Sequence, residues 1–518
     1  MKRLLCVILC ALFALNTTAC FKKQGESVVF SLPLEPISLD PCKADDYSSL
    51  SVTMNLFEGL TRVDKAGDVK PGAAESWQIS PEGTTATFQI DPLAKWADGS
   101  PVTAADFLFA LQRTLDPQTK SPHAKDLWFL EGAQEISQGK KGAETLGVTA
   151  SGNTLTLRMK ATYPELLELC ATSLFFPCKE EFFTKTAGKY GLEADMILGN
   201  GRYYLYKWSH SETLRLRRNE HYPRNKDTRV ISVRFRIGEI TAEPEEALEK
   251  NLASVVKINE SQFNELAQKG YETVSFEDTT WGIYANVQDE TLKNSNIRKA
   301  LFGGVDPSFV KVTQASMRPA YALIPPQAVW ENVKYRERAA ESLIPAFDPE
   351  GSKNAMVKGK NEMKITKGPA ITLLCEDTKE TVALLGDVLQ SWQKYLNTFV
   401  TLEPLSAAEL DKRVRSGRYQ LVYTWLRGAN HTPEATLSLF ETGHVRNIAG
   451  LSDAGFEEKL ANCHSLEGEA LWQALTDCER TLYNKHVFYP LSYETRYYAK
   501  AKNSSVQMLP FDEPVVFE

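Results

Sequence analysis

The chain has 518 residues, about three times the length of a typical single domain. It is 43% hydrophobic and 24% charged, which excludes a disordered, collagen-like or small disulfide-stabilised protein. A mean hydropathy of −0.31 argues against a polytopic membrane protein. With 59 Lys and Arg against 66 Asp and Glu, the net charge is −7, so the composition does not support a nucleic-acid-binding surface.

The N-terminal residues predict an export signal. Lys2 and Arg3 form a short positive start, and residues 4–15 are apolar apart from two cysteine thiols. This apolar run is too short for a bilayer core, which needs about 20 residues, and small residues follow it. We therefore expect residues 1–19 to be a signal peptide that is removed on export.

Cys20 is a candidate lipidation site. It follows the small residue Ala19 at the end of the apolar run, which resembles the lipobox of bacterial lipoproteins, although Thr17 stands where Leu is usual. Ordinary cleavage after Ala19 is the alternative. Without Lys2 and Arg3 the mature chain has a net charge of 57 − 66 = −9. We expect an exported, soluble protein in the periplasm, attached to a membrane only through lipid on Cys20.

Apolar patterns along the mature chain predict alternating strands and helices. The predicted elements are a strand at 28–34, a helix at 48–60, a strand at 86–90, a capped helix beginning at Thr103, a strand at 154–159, two strands within 202–218, and helices at 297–302 and 382–396. Residues 349–368 are rich in Lys, Gly and Asn and predict an exposed loop. Intermixed strands and helices predict an α/β protein of more than one lobe.

The sequence lacks common catalytic and phosphate-binding motifs. It contains no GxSxG, HExxH, GxxxxGK[ST] or strand-linked GxGxxG motif, and its seven histidines are scattered. No group of cysteines and histidines has zinc-ligand spacing. We therefore expect a protein that is not an enzyme and that has no metal or other cofactor.

Two cysteine pairs are close enough in sequence to form disulfides after export: Cys170 with Cys178, and Cys463 with Cys478. Buried free thiols are an equally good interpretation of each pair. The cysteines leave both alternatives open.

An ordered series of motifs carries a family resemblance. The series is Ser38-Leu39-Asp40-Pro41, Asn55-Leu56-Phe57-Glu58-Gly59-Leu60, Pro71-Gly72-Ala73-Ala74-Glu75-Ser76-Trp77, Lys95-Trp96-Ala97-Asp98-Gly99-Ser100-Pro101-Val102-Thr103, Arg113 and Asp116-Pro117. It resembles the N-terminal signature of the oligopeptide-binding proteins of bacterial ABC importers, known as extracellular solute-binding family 5. The similarity covers the mature chain and is densest over residues 38–123.

The resemblance implies a periplasmic-binding-protein type II-like α/β fold, with two main lobes joined by a hinge and an additional third lobe. On this basis lobe I comprises residues 20–50, 179–277 and 490–518. Lobe II, the extra domain, comprises residues 51–178, and lobe III comprises residues 278–489.

The resemblance also implies a function. In the family, the lobes close over a peptide that is held as an extended strand by backbone hydrogen bonds, and a permease with its ATPase subunits receives it. The chain is then expected to be a monomeric substrate-binding lipoprotein whose partners are peptides and an ABC transporter.

Candidate ligand contacts follow from the same resemblance. One family contact strand corresponds to residues 32–37, where Pro33 and Pro36 each remove a backbone donor. A second contact region surrounds a tryptophan that corresponds to Trp425. The candidate contacts are Leu34, Glu35, His123, Trp425, Arg427, Gly428 and Asn430.

Gly428 departs from the family pattern. Three residues after the cleft tryptophan, the family places an Asp that pairs with the amino terminus of the peptide. Three residues before that tryptophan, it places an Arg where this chain has Val422. A buried ammonium without a countercharge is costly. Arg427, if it faces the cleft rather than solvent, favours acidic ligands, so we expect modified or cell-wall-type peptides, or peptides held mainly through their backbone.

Two alternatives remain open. The same fold could bind a non-peptide solute such as a glycoside or a metal chelate, the latter suggested by His431 and His444 near the cleft segment. The protein could also be a peptide-binding surface protein without a transport role.

Overall fold

The computed structural model describes residues 25–508 except short gaps. The gaps are residues 65–67, 164–165, 226–228, 309, 313, 331–332, 340–341, 345–346, 429–430, 443, 445, 464–465 and 507. The predicted signal peptide, the candidate lipidation site Cys20 and the candidate contact Asn430 lie outside the described residues.

The described strands run along the whole chain. They are β1 (Glu26–Leu32), β2 (Thr61–Val63), β3 (Val69–Pro71), β4 (Ala74–Ile79), β5 (Thr85–Ile90), β6 (Val148–Ser151), β7 (Thr154–Arg158), β8 (Tyr203–Ser209), β9 (Thr213–Arg218), β10 (Val230–Ile237), β11 (Val255–Ile258), β12 (Glu272–Ala285), β13 (Met317–Pro319), β14 (Val329–Trp330), β15 (Val333–Lys334), β16 (Ile371–Glu376), β17 (Val400–Leu405), β18 (Leu421–Leu426) and β19 (Phe488–Lys500).

Helices lie between these strands. The described α-helices are α1 (Tyr47–Leu56), α2 (Ala104–Leu115), α3 (Ala133–Ser137), α4 (Leu166–Leu169), α5 (Glu180–Lys185), α6 (Pro244–Glu249), α7 (Glu260–Gln268), α8 (Ser295–Gly303), α9 (Tyr335–Arg338), α10 (Pro349–Glu362), α11 (Lys379–Leu396), α12 (Ala407–Arg415), α13 (Pro433–Leu437), α14 (Ala454–Cys463) and α15 (Gly468–Lys485).

Three sheets organise the molecule. The first sheet has the order β1-β10-β9-β8, with β1 parallel to β10 and the other pairs antiparallel. The second sheet, β4-β5-β7-β6, is antiparallel. The third sheet has seven strands, ordered β11-β19-β12-β18-β16-β17 with β13 added to β19. This mixed α/β architecture is that of a type II periplasmic-binding fold.

Two large apolar clusters form the core. One is built from residues between Val28 and Phe235 together with Val506, and it lies under the first and second sheets. The other is built from residues between Ile283 and Leu491, and it lies under the third sheet. Because each cluster has its own sheet and helices, the chain can form separate lobes.

The strands β12 and β19 link these regions. They are long, antiparallel neighbours, and their pairing register shifts between Phe276 and Thr279, close to the predicted lobe crossing at residue 278. A shift of this kind bends a strand locally. The predicted lobe boundaries remain predictions.

Most predicted elements are confirmed. Helix α2 begins after Thr103, whose side chain and Asp106 form the expected capping box. The paired strands β8 and β9 occupy the run predicted to contain two strands.

The prediction of a loop at 349–368 is wrong, because α10 covers Pro349–Glu362. Asp348 caps this helix by accepting from the Gly351 backbone N–H at 2.8 Å, and Pro349 suits its first position. Its buried residues are small or flexible and have helical spacing: Ser352, Ala355, Met356 and Gly359. Close packing on α8 explains them, since a Cβ on Gly359 would lie 2.7 Å from Ile297 Cδ1.

Residues 33–37 are not a strand, contrary to the expectation that residues 32–37 form one. Strand β1 ends at Leu32, and Pro33 and Pro36 lack the N–H groups that a continued ladder needs. The segment leaves Leu34 60% and Ile37 73% exposed.

The cysteines of the described chain are buried. Cys463 Sγ and Cys478 Sγ lie 3.9 Å apart between α14 and α15. Cys178 instead receives a hydrogen bond from Arg113 Nη1 at 3.3 Å. Disulfide formation at either predicted pair remains a prediction, and the geometry favours Cys463 with Cys478.

Candidate ligand-binding site

Trp425 lies on the central strand β18 of the third sheet. Its cross-strand partner is Trp281 of β12. The guanidinium of Arg427 lies 4.9 Å from the Trp425 ring centroid, and that of Arg446 lies 5.0 Å from it. Cations at this distance are attracted to the indole face. The tryptophan predicted to line the cleft is therefore an aromatic platform beside two guanidinium groups.

Arg427 is buried, with 6% exposure, so the alternative that it points to solvent is wrong. Its Nη1 donates to Thr279 Oγ1 of β12 at 3.2 Å. Thr279 lies at the register shift of β12, next to Asp278. Arg427 thus ties the end of β18 to the strand that links the two core regions.

Gly428 is packed against the first turn of α13. A Cβ at this position would lie 2.9 Å from the backbone of Ala435 and Thr436. Real Cβ atoms do not approach backbone so closely, so the aspartate expected here from the family resemblance does not fit without moving α13. Val422 is also buried in the core beneath the third sheet. The chain therefore lacks both expected charged anchors, and at residue 428 the backbone of α13 leaves no room for one.

His123 is half-enclosed and has two partners. Its Nε2 lies 2.9 Å from the Ala44 carbonyl oxygen, and its Nδ1 lies 3.4 Å from Asp126 Oδ2. Burial alone would lower the pKa of His123, but the hydrogen bonds to Asp126 and Ala44 outweigh it and raise the pKa.

His444 lies in the same segment as Arg446 and has a strongly shifted pKa. Burial and the charge of Arg446 lower the pKa of His444 to about 4, and Asp126 opposes this shift. The Arg446 backbone N–H donates to His444 Nδ1 at 3.0 Å, which fixes a neutral ring with its proton on Nε2. Arg446 therefore lies beside both the His444 ring and the Trp425 ring.

An ion pair joins the residues before α1 to the third-sheet region. Arg415 Nη1, at the end of α12, lies 3.0 Å from Asp45 Oδ2 and also donates to the Asp45 carbonyl at 3.0 Å. The segment before α1 therefore contacts the third-sheet region.

Leu34 and Glu35 are not brought to this cluster by the contacts of the described chain. Glu35 accepts hydrogen bonds from Trp208 Nε1 at 3.0 Å and the Ser211 backbone N–H at 3.2 Å, and it pairs with His210 at 2.7 Å. These contacts hold Glu35 on the turn between β8 and β9. A ligand contact at Leu34 or Glu35 remains a prediction.

Asp278 and Arg496 form a buried ion pair between β12 and β19, at the register shift. Arg496 Nε lies 2.9 Å from Asp278 Oδ1, and a second guanidinium nitrogen bonds the other carboxylate oxygen. Glu494 adds to this region by accepting from Trp281 Nε1 at 2.7 Å. The paired strands β12 and β19 thus carry charged side chains that are buried at the register shift.

Sequence reasoning missed Arg446, Asp126 and the Asp278–Arg496 pair. Asp126 lies three residues after His123, which was a local signal. The other residues approach only through strand register and lobe packing, for which the linear pattern has no signal.

The described residues contain no group of three or more His, Cys, Asp and Glu side chains placed to hold a metal ion. No helix among them is long and apolar enough to cross a bilayer.

Comparison with known proteins identifies the class. The model for bacterial extracellular solute-binding proteins, family 5 Middle, matches residues 68–446. The chain belongs to this family.

The relatives are similar over most of their length. The dipeptide-binding protein DppE of Bacillus subtilis is 27% identical, with 91% of this chain and 87% of the relative covered. The periplasmic murein peptide-binding protein MppA of Escherichia coli is 28% identical, covering 85% and 82%. Among solved structures, the pheromone receptor PrgZ has a TM-score of 0.76 at 23% identity, covering 95% of this chain and 98% of its own. The fold is therefore shared along the whole described chain.

Proposed function

We propose that the chain captures peptides between its lobes and delivers them to an ABC importer in the membrane. Relatives named for dipeptide, oligopeptide and murein peptide binding support this proposal. The aromatic platform of Trp425, which lies beside two guanidinium groups, is the observation that carries it.

The bound peptide is expected to be held without a buried carboxylate at residue 428. The α13 backbone fills the space of that side chain, and the platform beside it carries two guanidinium groups. A free peptide ammonium at this place would lose its hydration without gaining that countercharge. Peptides with a modified amino end, an acidic residue or a cell-wall-type structure suit the site better.

Calorimetry with three tripeptides tests this proposal: trialanine, N-acetyl-trialanine and the acidic Ala-Glu-Ala. We expect the acetylated peptide to bind at least as well as trialanine, and the acidic one to bind more tightly. Strict dependence on a free amino group would show that the substrate assignment is wrong. Failure of all three to bind, combined with a non-peptide solute found by mass spectrometry after native purification, would favour the alternative ligand class.

We also propose that the mature protein is a monomeric lipoprotein of the periplasm, anchored through Cys20 and acting as a binding protein rather than an enzyme. The lipobox-like sequence supports the anchor. Labelling with palmitate should mark the wild-type chain and not Cys20→Ser. Equal labelling of both would exclude this site. A transport role predicts that the peptide-loaded protein stimulates the ATPase activity of its transporter, and absence of this stimulation would favour the role without transport.

A further inference from the structure

The solvent-facing side of the first sheet carries a cluster of cations. The inward residues of these strands belong to the apolar core, whereas the alternate positions are exposed. We call the basic face the exposed set Lys207, Arg215, Arg217, Arg234 and Arg236.

Strand register places three of these cations in a row. Arg215 of β9 is the direct cross-strand partner of both Lys207 on β8 and Arg234 on β10. Directly opposite side chains on one face have Cβ atoms about 5 Å apart, and like charges there are destabilising. The fold gains no stability from this row.

The basic face has no ion pair within the described part of the chain. Arg218, the next residue of β9, differs because its Nη2 lies 3.1 Å from Glu220 Oε1. The mature chain has a net charge of −9, so these cations are concentrated on one surface of an acidic protein. Such a patch attracts anions while the remaining surface repels them.

Tyr206 adds an aromatic ring to this surface. The register of β8 shifts between Leu205 and Lys207, so Tyr206 is an extra, exposed residue. Its ring lies 3.4 Å from the guanidinium carbon of Arg217. Beside it is a shallow cavity of about 140 Å³. Tyrosine is enriched at membrane interfaces, where its ring contacts apolar groups and its hydroxyl contacts water.

The basic face is also close to the candidate anchor. Ser27 of β1 shares this face, since its Oγ lies 2.6 Å from Ser232 Oγ of β10. Glu26 follows Cys20 by six residues, which span about 20 Å at most. Lys22 and Lys23 lie within that short connection. A lipid on Cys20 would therefore keep the first sheet next to the bilayer.

We propose that the basic face binds the phosphate-bearing headgroups of an anionic membrane. The cations are spread over three strands of the sheet, which fits an array of headgroups better than one small anion. Clusters of Lys and Arg beside a membrane anchor bind anionic lipid in this way. Binding would orient the lobes relative to the bilayer. This inference extends the proposed anchoring and does not depend on which ligand the cleft holds.

Vesicle sedimentation tests this inference with the mature chain carrying Cys20→Ser, so that no acyl chain contributes. We expect binding to vesicles of phosphatidylglycerol and phosphatidylcholine to be about tenfold tighter than to phosphatidylcholine alone, and to be abolished by high salt. The variant Arg215→Gln, Arg217→Gln, Arg234→Gln and Arg236→Gln should lose this preference.

A charge-matched control removes four exposed lysines elsewhere: Lys353→Gln, Lys358→Gln, Lys367→Gln and Lys379→Gln. It should bind anionic vesicles within about twofold of wild type, since those cations are remote from the basic face. Equal loss in both variants would mean that net charge alone acts, and equal binding of wild type to neutral vesicles would also overturn the proposal.

Tripeptide calorimetry on the same variants separates this inference from the proposed function. The arginine variant should bind the tripeptides as wild type does, which also shows that it is folded. The membrane proposal is wrong if the wild-type protein does not bind anionic vesicles. If, in addition, the arginine variant fails to stimulate a reconstituted transporter, the basic face contacts a protein instead.

Discussion

Two sets of arginines in this molecule have opposite surroundings. Arg336 and Arg496 are buried, and each pairs with a carboxylate that is almost fully enclosed, Glu479 and Asp278 respectively. The arginines of the basic face are exposed and have no carboxylate partner in the described residues, and Arg215 and Arg234 lie directly opposite other cations.

This difference indicates what each set is for. A buried guanidinium without its partner would be strongly destabilising, so the paired arginines are part of the fold. Exposed like charges in cross-strand register destabilise the sheet slightly. A row of them is therefore better explained by something outside the chain that binds it.

The largest effect is expected at the paired arginines. Glu479 accepts from the backbone N–H groups of Leu323 and Ile324 at 2.9 and 2.8 Å and also bonds Arg336. Glu479→Ala should lower the free energy of unfolding by about 3–5 kcal/mol in urea denaturation, because it leaves a buried charge unpaired. Glu469→Ala, in the exposed part of the same helix, should change it by less than about 0.5 kcal/mol. Similar values for the two variants would contradict the comparison.

The two arginines beside Trp425 form a third set, because their guanidinium groups lie over an aromatic ring. The effect expected there is smaller than at the buried ion pairs. Trp425→Ala should weaken binding of the tightest of the three tripeptides at least about tenfold, since it removes the platform that both guanidinium groups share. Trp77→Ala, at a half-buried tryptophan of the second sheet, should leave this affinity unchanged. Unchanged affinity in Trp425→Ala would place the ligand elsewhere.

Local patterns predicted much of the fold. Helix α2 could be predicted because its capping residues and apolar spacing are contiguous in sequence. Helix α10 could not be predicted, because its buried side contains small residues such as Ala355 and Gly359. These residues stabilise the helix only by allowing close packing on α8, which the sequence pattern does not show.

The candidate site shows the same limit. Trp425 and the missing carboxylate at Gly428 could be identified by family resemblance, but the α13 backbone that fills this space could not. Arg446 approaches Trp425 only after the third sheet and its loops have packed. The alternation of Leu and Arg in β9 predicts a strand, whereas the row of cations on the basic face depends on register with β8 and β10.

Two histidines next to arginines should make the free energy of unfolding depend on pH. Burial and nearby cations lower the pKa of His444 and of His486 to about 4. Between about pH 4 and 6.5 the unfolded residues bind protons that the folded ones do not, so the free energy of unfolding should rise with pH. His444→Gln and His486→Gln should each reduce the loss between pH 6 and 4.5 by about 1–2 kcal/mol.

His210→Gln is the control for this measurement. Glu35 and Glu193 raise the pKa of His210 above 6.5, so its contribution to stability is present below about pH 6.5 and is lost only as the pH rises above that value. Removing it should not reduce the acid-side loss. A double histidine variant with the wild-type pH profile would show that neither ring stays neutral in the fold.

The smallest effect is expected at Arg415, an exposed arginine that does have a partner. It pairs with Asp45 across 370 residues of sequence, at a contact between the two parts that enclose the candidate site. Exposed pairs contribute about 0.5 kcal/mol, which corresponds to about a twofold change in tripeptide affinity if closure forms this contact. Arg415→Ala and Asp45→Ala should each weaken binding by this factor, and the double variant should be no weaker than either. Arg480→Ala, which breaks an exposed pair with Asp477 within α15, should have no such effect. Strictly additive losses in the double variant would mean that the contact does not assist closure. The exposed arginines that contribute to binding would then be only those of the basic face, which have no carboxylate partner in the described residues.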